Sequence, residues 1–267
     1  MNAGPRNSLA ELFEVAGKSG LVTGATGALG RVAALALGAG GAKLTLASGN
    51  ASALDEVAGE IGAAGGEAQT VNRRPDTPGD AEAMVSAAVS AYGGLDMVVV
   101  ASGMNKPAMI TESGVEDWEE IMDANVRGAW LVCQAAGRRF LEQGGGGKIV
   151  LVSSTRGKLG YPSGYVAYCS SKSATDGLVR ALACEWGSHG INVNAIGPTV
   201  FRSNLSAWLY EDEGPGKTAR EGMLTRVPLG RLGEPEDLVG VLMFLLSPAS
   251  DFCTGQVLYV DGGYTAG

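Results

Sequence analysis

From about residue 19 to the end of the chain, short apolar runs rich in Val, Ile and Leu alternate with longer Ala-rich amphipathic segments, and few folds accommodate that rhythm. Runs that stay apolar, rather than alternating with polar residues, read as strands covered on both faces. Such strands belong to parallel sheets whose crossovers are helices. The strands are read as "SGLVT" (19–23), "KLTLA" (43–47), "EAQTV" (67–71), "DMVVVA" (96–101), "KIVLVS" (148–153), "INVNAI" (191–196) and "QVLYV" (256–260). Helices are expected near 28–38, 51–64, 79–92, 116–142, 164–187 and 235–247, with Pro235 suited to the first turn of the last. No linker-like composition interrupts the series, so one α/β domain over residues 1–267 is expected, with 1–14 as an N-terminal extension. The expected architecture is a single doubly wound domain of Rossmann type, a seven-stranded parallel sheet with helices on both faces. Residues 199–230, with "SAWLYEDEGPGKTARE", break the rhythm after a strand. Ligands in such sheets sit beyond the carboxyl ends of strands, so this segment is a candidate substrate lid.

Charge narrows the function classes. A formal net charge of −8 and a pI near 4.8 disfavour nucleic acid and anionic membranes as partners, since both require a basic footprint. No apolar run reaches the length of a bilayer span, and the N-terminus lacks an apolar core with a small-residue cleavage site, so a cytoplasmic location is expected. The four cysteines, Cys133, Cys169, Cys184 and Cys253, show no metal-ligand spacing; they read as reduced packing residues, and no metal is expected.

The chain has one histidine, His189, in "GSHGI" where a helix ends before a strand, so proton transfer near neutral pH needs another carrier. "YVAYCSSK" (165–172) suggests one, because Tyr168 and Lys172 are four residues apart and share one face of a helix. A phenol with a reference pKa near ~10 is a poor acid or base at pH 7. An ammonium about 4 Å away, at an effective dielectric of roughly 20, is worth about 4 kcal/mol, or on the order of three pKa units. That expectation places the tyrosine near 7. A second motif, "TGATGALG" (23–30), follows the first strand and opens the first long helix. Its glycines allow a tight turn that brings helix N-terminal amides against a pyrophosphate.

Together, the glycine turn and the Tyr168–Lys172 pair resemble the short-chain dehydrogenase/reductase family, and the resemblance runs through nearly the whole chain. The family's TGxxxGxG turn is approximated by Thr23, Gly24 and Gly30, with Ala28 in place of the middle glycine and Gly27 one place earlier. Asn125 in "DANVRG", Ser154 in "LVSSTRG", "NAIGPTVFRS", "GRLGEPEDL" and "TGQVLYVDGG" match further family segments in order, whereas the NNAG segment is replaced by Val100-Ala101-Ser102-Gly103. The resemblance implies hydride transfer between a nicotinamide and a carbonyl or alcohol carbon. Tyr168 would carry the proton, Lys172 would lower its pKa and bond the nicotinamide ribose, Ser154 would polarise the carbonyl, and Asn125 would hold a relaying water. A helix-kink role, bonding its own backbone, is the other reading of Asn125.

Cofactor contacts implied by the resemblance are Gly24, Thr26, Gly27, Leu29 and Gly30 in the turn, and Ser48, Gly49, Asn50, Arg73 and Arg74 toward the adenosine. At the nicotinamide end they are Ala101, Gly103, Tyr168, Lys172, Pro198, Thr199, Val200 and Ser203. An acidic residue after the second strand would bond the 2′-hydroxyl of NAD, but "LASGN" offers none. Arg73 and Arg74 can supply the cation that Gly49 withholds, which favours NADP(H) while NAD stays possible. Lys106, Arg156, Lys158 and Arg202 fall in loops after the fourth, fifth and sixth strands and, with Ser154, are the expected substrate contacts. In so acidic a chain they suggest a small anionic or polyhydroxylated substrate such as a sugar acid, as in gluconate 5-dehydrogenase-like members. A 3-oxoacyl-carrier-protein reductase is the alternative, with Arg138 and Arg139 as a thin docking face. A catalytically silent NAD(P)-binding sensor or scaffold is the alternative of another class. The resemblance also implies a homo-oligomer, a tetramer or dimer.

Overall fold

The computed structural model describes residues 8–267, so the first half of the expected N-terminal extension lies outside the described residues. Seven strands, β1 (Ser19–Thr23), β2 (Lys43–Ser48), β3 (Glu67–Asn72), β4 (Met97–Val100), β5 (Gly147–Val152), β6 (Ile191–Pro198) and β7 (Val257–Val260), form one sheet. Its order is β3-β2-β1-β4-β5-β6-β7, and every neighbouring pair is parallel. The helices are α1 (Leu9–Leu12), α2 (Ala28–Ala39), α3 (Ala51–Ala63), α4 (Pro78–Tyr92), α5 (Val115–Met122), α6 (Gly128–Gln143), α7 (Val166–Trp186), α8 (Pro215–Leu224) and α9 (Val239–Leu246).

Each central strand feeds two cores, because successive side chains leave a strand on opposite faces. Met97 and Val99 pack with α2, α3 and α9, while Val98 and Val100 pack with α4, α6 and α7. Strand order reverses between β1 and β4, and that switch point opens a crevice at the carboxyl ends of the strands. Gly24 stands there.

Three expectations are refined. The helix expected over 116–142 is broken into α5, a wide π turn at Asp123–Arg127, and α6. The last helix begins as a tight 3₁₀ turn, Pro235–Leu238, before α9, with Pro235 in the first turn as expected. The 199–230 segment, expected as a break in the rhythm, carries a 3₁₀ turn at Asn204–Tyr210 and then α8.

Gly137 of α6 tests whether packing outweighs helix propensity. A β-carbon there would lie 2.5 Å from the indole of Trp186, which is buried in α7. Propensity alone favours Gly137→Ala by about 1 kcal/mol, whereas overpacking a core costs typically ~1–3 kcal/mol. We expect a net loss of stability in urea denaturation, and a gain would show that the α6–α7 seam is loosely packed.

Candidate active site

The glycine turn is shaped by close approach. Gly24 has φ 66°, in the left-handed region, and a β-carbon on it would lie 2.6 Å from the Ser102 amide nitrogen. A β-carbon on Gly30 would lie 2.2 Å from the Gly24 carbonyl oxygen. The N-cap of α2 is Gly27, with no side chain to occupy the first-turn amides. These amides, at the positive end of a twelve-residue helix, are open to an anion. The turn with Gly27 in place of the family's middle glycine, and Ala28 as the first helical residue, therefore keeps a geometry that fits a phosphate. Thr26 and Ser48 hydroxyls bond across at 2.7 Å, tying the turn to the end of β2. Asn50 caps α3 by accepting from the Ala53 amide at 3.2 Å, which engages its side chain oxygen in the fold.

Beyond β2 and β3 the two adjacent arginines part company. Arg73 pairs with Asp80 at 2.7 Å. Arg74 lies across Gly49, whose absent β-carbon would sit 2.8 Å from the Arg74 Nε, and it has no carboxylate partner among the described residues. Gly49 thus makes room for the guanidinium at the adenosine end of the crevice. The turn's amides fit the pyrophosphate of a dinucleotide.

At the opposite end, α7 lays Tyr168, Lys172 and Asp176 along one face against the end of β5. Lys172, 5% exposed, donates from Nζ to the Val152 carbonyl at 2.8 Å and stands 5.6 Å from the centre of the Tyr168 ring. Asp176, also buried, accepts a hydrogen bond from the Ser153 hydroxyl. The Ser154 hydroxyl stands beside the Tyr168 phenol, accepts from the Arg156 amide at 3.1 Å and donates to the Pro198 carbonyl at 3.4 Å. Asn125, 2% exposed at the centre of the π turn, donates to the Met104 carbonyl and the Ser171 hydroxyl, each at 2.9 Å, and accepts from the Met104 amide at 2.7 Å. Its side chain bonds the loop after β4 rather than its own helix, which sets aside the helix-kink reading. A β-carbon on Gly103 would lie 3.0 Å from Asn125 Oδ1 and 3.6 Å from Lys172 Nζ, so Asn125, Gly103 and Lys172 meet at one point.

The expected acidification of Tyr168 is corrected. Burial raises the phenol's pKa above its ordinary value, and the Ser154 hydrogen bond pulls it back in part. Lys172 is turned to the Val152 carbonyl, and burial lowers its own pKa to about 8 against the opposing charge of Asp176. The sequence spacing placed the pair on one face but gave no account of desolvation. Asp176, four residues beyond Lys172, was missed although the same helical period reaches it. Tyr161 and Tyr264 were missed as well. Their contacts with Arg156 include one spanning 108 residues of chain, which no local pattern signals.

The four loop cations have different surroundings. Lys106 is exposed and paired with Asp117 at 3.0 Å and with Glu120. Arg202 is exposed, paired with Glu234 at 2.9 Å, and lies 3.7 Å from the centre of the Tyr210 ring. Lys158 is exposed, 5.3 Å from the Tyr259 ring centre. Arg156 alone is buried, and its charge acts on both the Tyr165 and Tyr168 phenols. Thr199 and Val200 follow β6, and Ser203 caps the Asn204–Tyr210 turn. His189 is exposed on a turn after α7. Among the described residues all four cysteines are free, no three His, Cys, Asp or Glu side chains gather to hold a metal, and no helix is long and apolar enough to cross a membrane.

Lys172 gives a pH signature. Because its folded pKa is lowered from 10.5 to about 8, the unfolded chain holds a proton between those values that the folded chain has released. The penalty for the buried charge is therefore complete below pH 8 and is relieved as pH rises toward 10.5. Relative to Lys172→Met, the cofactor-free wild type should gain on the order of 2–3 kcal/mol between about pH 7 and about pH 10. Paired denaturation curves at the two pH values measure this, and a constant difference between the proteins would refute it.

A family model described as "Enoyl-(Acyl carrier protein) reductase" matches residues 24–265. An uncharacterized oxidoreductase of Mycobacterium tuberculosis is 59% identical over 254 residues, covering 95% of this chain and 93% of its own. The gluconate 5-dehydrogenase of Gluconobacter oxydans is 34% identical, covering 96% of this chain and 97% of its own. Among solved structures, a putative 2-deoxy-D-gluconate 3-dehydrogenase from Agrobacterium tumefaciens with bound NADP superimposes with a TM-score of 0.87 at 33% identity, over 96% of this chain and 99% of that one. A switch-point cradle, a Ser–Tyr–Lys cluster at the end of β5 and likeness along the whole chain lead to one conclusion: the protein belongs to the short-chain dehydrogenase/reductase family, oxidoreductases that act on CH–OH groups with a nicotinamide cofactor.

Proposed function

We propose that this enzyme is an NADP(H)-dependent dehydrogenase of a small polyhydroxylated or anionic alcohol, of the sugar-acid kind, in which Tyr168 carries the proton. The observation that supports this reading most is the buried row of Tyr168, Lys172 and Asp176 against the end of β5, with the Ser154 hydroxyl beside the phenol. When bound, the nicotinamide supplies or accepts the hydride. Ser154 donates to the substrate oxygen and holds it beside the phenol. Tyr168 gives its proton to that oxygen in reduction and takes it back in oxidation. A raised pKa keeps the phenol protonated, ready to act as an acid. Lys172, with one N–H on Val152, retains two further donors for ribose hydroxyls, and charge there lowers the cost of the phenolate. Asn125 braces the loop after β4 and positions it beside Lys172.

The placement of Arg74 across Gly49 supports a 2′-phosphate as the feature read at the adenosine. The 199–230 segment, with α8 and the turn before it, acts as the lid over the substrate. Free cysteines throughout the described residues support a reducing, cytoplasmic setting. The acyl-carrier alternative is less well supported, since Arg138, one of the two cations available for docking, is already paired with Glu82. Self-association is supported by an open apolar groove where Trp130, 45% exposed, meets Leu178 and Ala181, and by the half-exposed outer strand β7. A monomer mass by light scattering at micromolar concentration would remove that part of the reading.

Two variants test the chemistry. Tyr168→Phe should lower kcat by about 10²–10⁴-fold while NADPH binds within about twofold of wild type. Near-normal turnover would refute the proton-carrier role. Arg74→Ala should lower the NADP-to-NAD ratio of kcat/KM by about 10- to 100-fold. An unchanged ratio would show that the 2′-phosphate is not read there.

A further inference from the structure

Arg156 is 7% exposed, a burial that charged side chains tolerate only when paired. Yet it has no carboxylate partner among the described residues. Of its five N–H groups, the structure commits one to the Gly160 carbonyl at 3.3 Å and one to the Tyr264 hydroxyl at 3.1 Å, both neutral acceptors. The guanidinium carbon lies 4.1 Å from the centre of the Tyr161 ring and 5.2 Å from that of Tyr264. Aromatic faces orient a cation without neutralising it. A second guanidinium, Arg226, approaches the same Tyr264 hydroxyl at 3.5 Å, again with no acid paired to it. Two cations converging on one phenol, in a chain of net charge −8, make a locally positive cluster with no acid paired to either guanidinium among the described residues.

The surroundings are built rather than incidental. Tyr264 is 3% exposed and is carried into place by the C-terminal turn, in which Asp261 accepts from the Gly263 and Thr265 amides, each at 2.9 Å. The cluster also adjoins the chemistry. Tyr161 packs edge-on to Tyr165 at 5.0 Å between ring centres, Tyr165 packs on Tyr168 at 6.1 Å, and the Arg156 backbone amide donates to Ser154. The planar fork of Arg156, two residues beyond Ser154, matches a carboxylate bidentately.

We infer that Arg156, held by Tyr161 and Tyr264 and assisted by Arg226, is the seat for a carboxylate of the substrate, so that the enzyme acts on hydroxy acids or keto acids in preference to neutral polyols. Lys106 and Arg202, both already paired with acids, take no part. The inference rests on the hydride-transfer reading above and narrows its substrate class.

The test separates binding from chemistry by using the Tyr168→Phe holoenzyme with NADPH, titrated with gluconate, sorbitol and sorbitol 6-phosphate and read by calorimetry and thermal shift. Gluconate should bind at least about 10-fold more tightly than sorbitol. Adding Arg156→Met should weaken gluconate about 10- to 100-fold and leave sorbitol and NADPH unaffected, with Arg156→Lys recovering part of the loss. Tyr264→Phe, which keeps the ring and removes the hydroxyl, should give a several-fold loss for gluconate alone, and it serves if Arg156→Met does not fold. Equal weakening of gluconate and sorbitol would mean Arg156 only props the tyrosines, and would overturn the seat. Tighter binding of sorbitol 6-phosphate than gluconate would overturn the carboxylate assignment, as would no binding of gluconate. In wild type, turnover of neutral alcohols without preference for acids sinks the seat and leaves the oxidoreductase reading standing. Full turnover by Tyr168→Phe sinks the proton-carrier reading whatever Arg156 binds.

Discussion

The attachment of α7 to the end of β5 is the constraint on which the site depends. Lys172 reaches the Val152 carbonyl and Asp176 takes the Ser153 hydroxyl, so two consecutive strand-end residues are gripped by two side chains one helical turn apart. Both grips are buried and charge-assisted, worth roughly 1.5–3 kcal/mol each where the partner is fully satisfied. Ser154 is the next residue, and its position against Tyr168 follows from those two bonds. An amine removed from water and facing a neighbouring carboxylate is held near pH 8, where its charge responds to what binds beside it. The same burial that makes the cluster rigid also raises the phenol, so proton transfer needs the charges of the assembled complex and not spacing alone.

The other half of the crevice is governed by distance between backbones. Gly24 and Gly30 allow the turn after β1 to lie against the loop after β4, leaving the first amides of α2 exposed to a phosphate. Gly49 does the same service for a side chain, since any β-carbon there would collide with Arg74. Asn125 links the two halves: the π turn between α5 and α6 swings its amide onto Met104, in the loop where the family's asparagines are missing. A single inserted residue in a helix thereby pins the loop after β4 at Met104.

Much of this was readable in advance because the signals are local. Strand and helix order follows from apolar periodicity, the cradle from glycines placed between a strand and a helix, and the Tyr168–Lys172 pairing from a four-residue step. The break in the helix at Asp123–Arg127 was not readable, as nothing in "DANVRG" forbids a regular helix; its cause is the Asn125 side chain meeting a loop brought near by the sheet. The value of each cation was equally hidden. Lys106, Arg156, Lys158 and Arg202 look alike in the sequence, but two find acids on neighbouring surface segments and one lies against two tyrosine rings.

By itself, then, the chain's pattern determined a doubly wound sheet, a nucleotide turn and a tyrosine–lysine couple, since each depends on residues within a few positions of one another. Tertiary structure alone decided the sense of the pKa shifts, the partner of Asn125 and the isolation of Arg156. Those depend on desolvation and on contacts such as that from Arg156 to Tyr264, made between residues that share no local period and meet only once the sheet has folded.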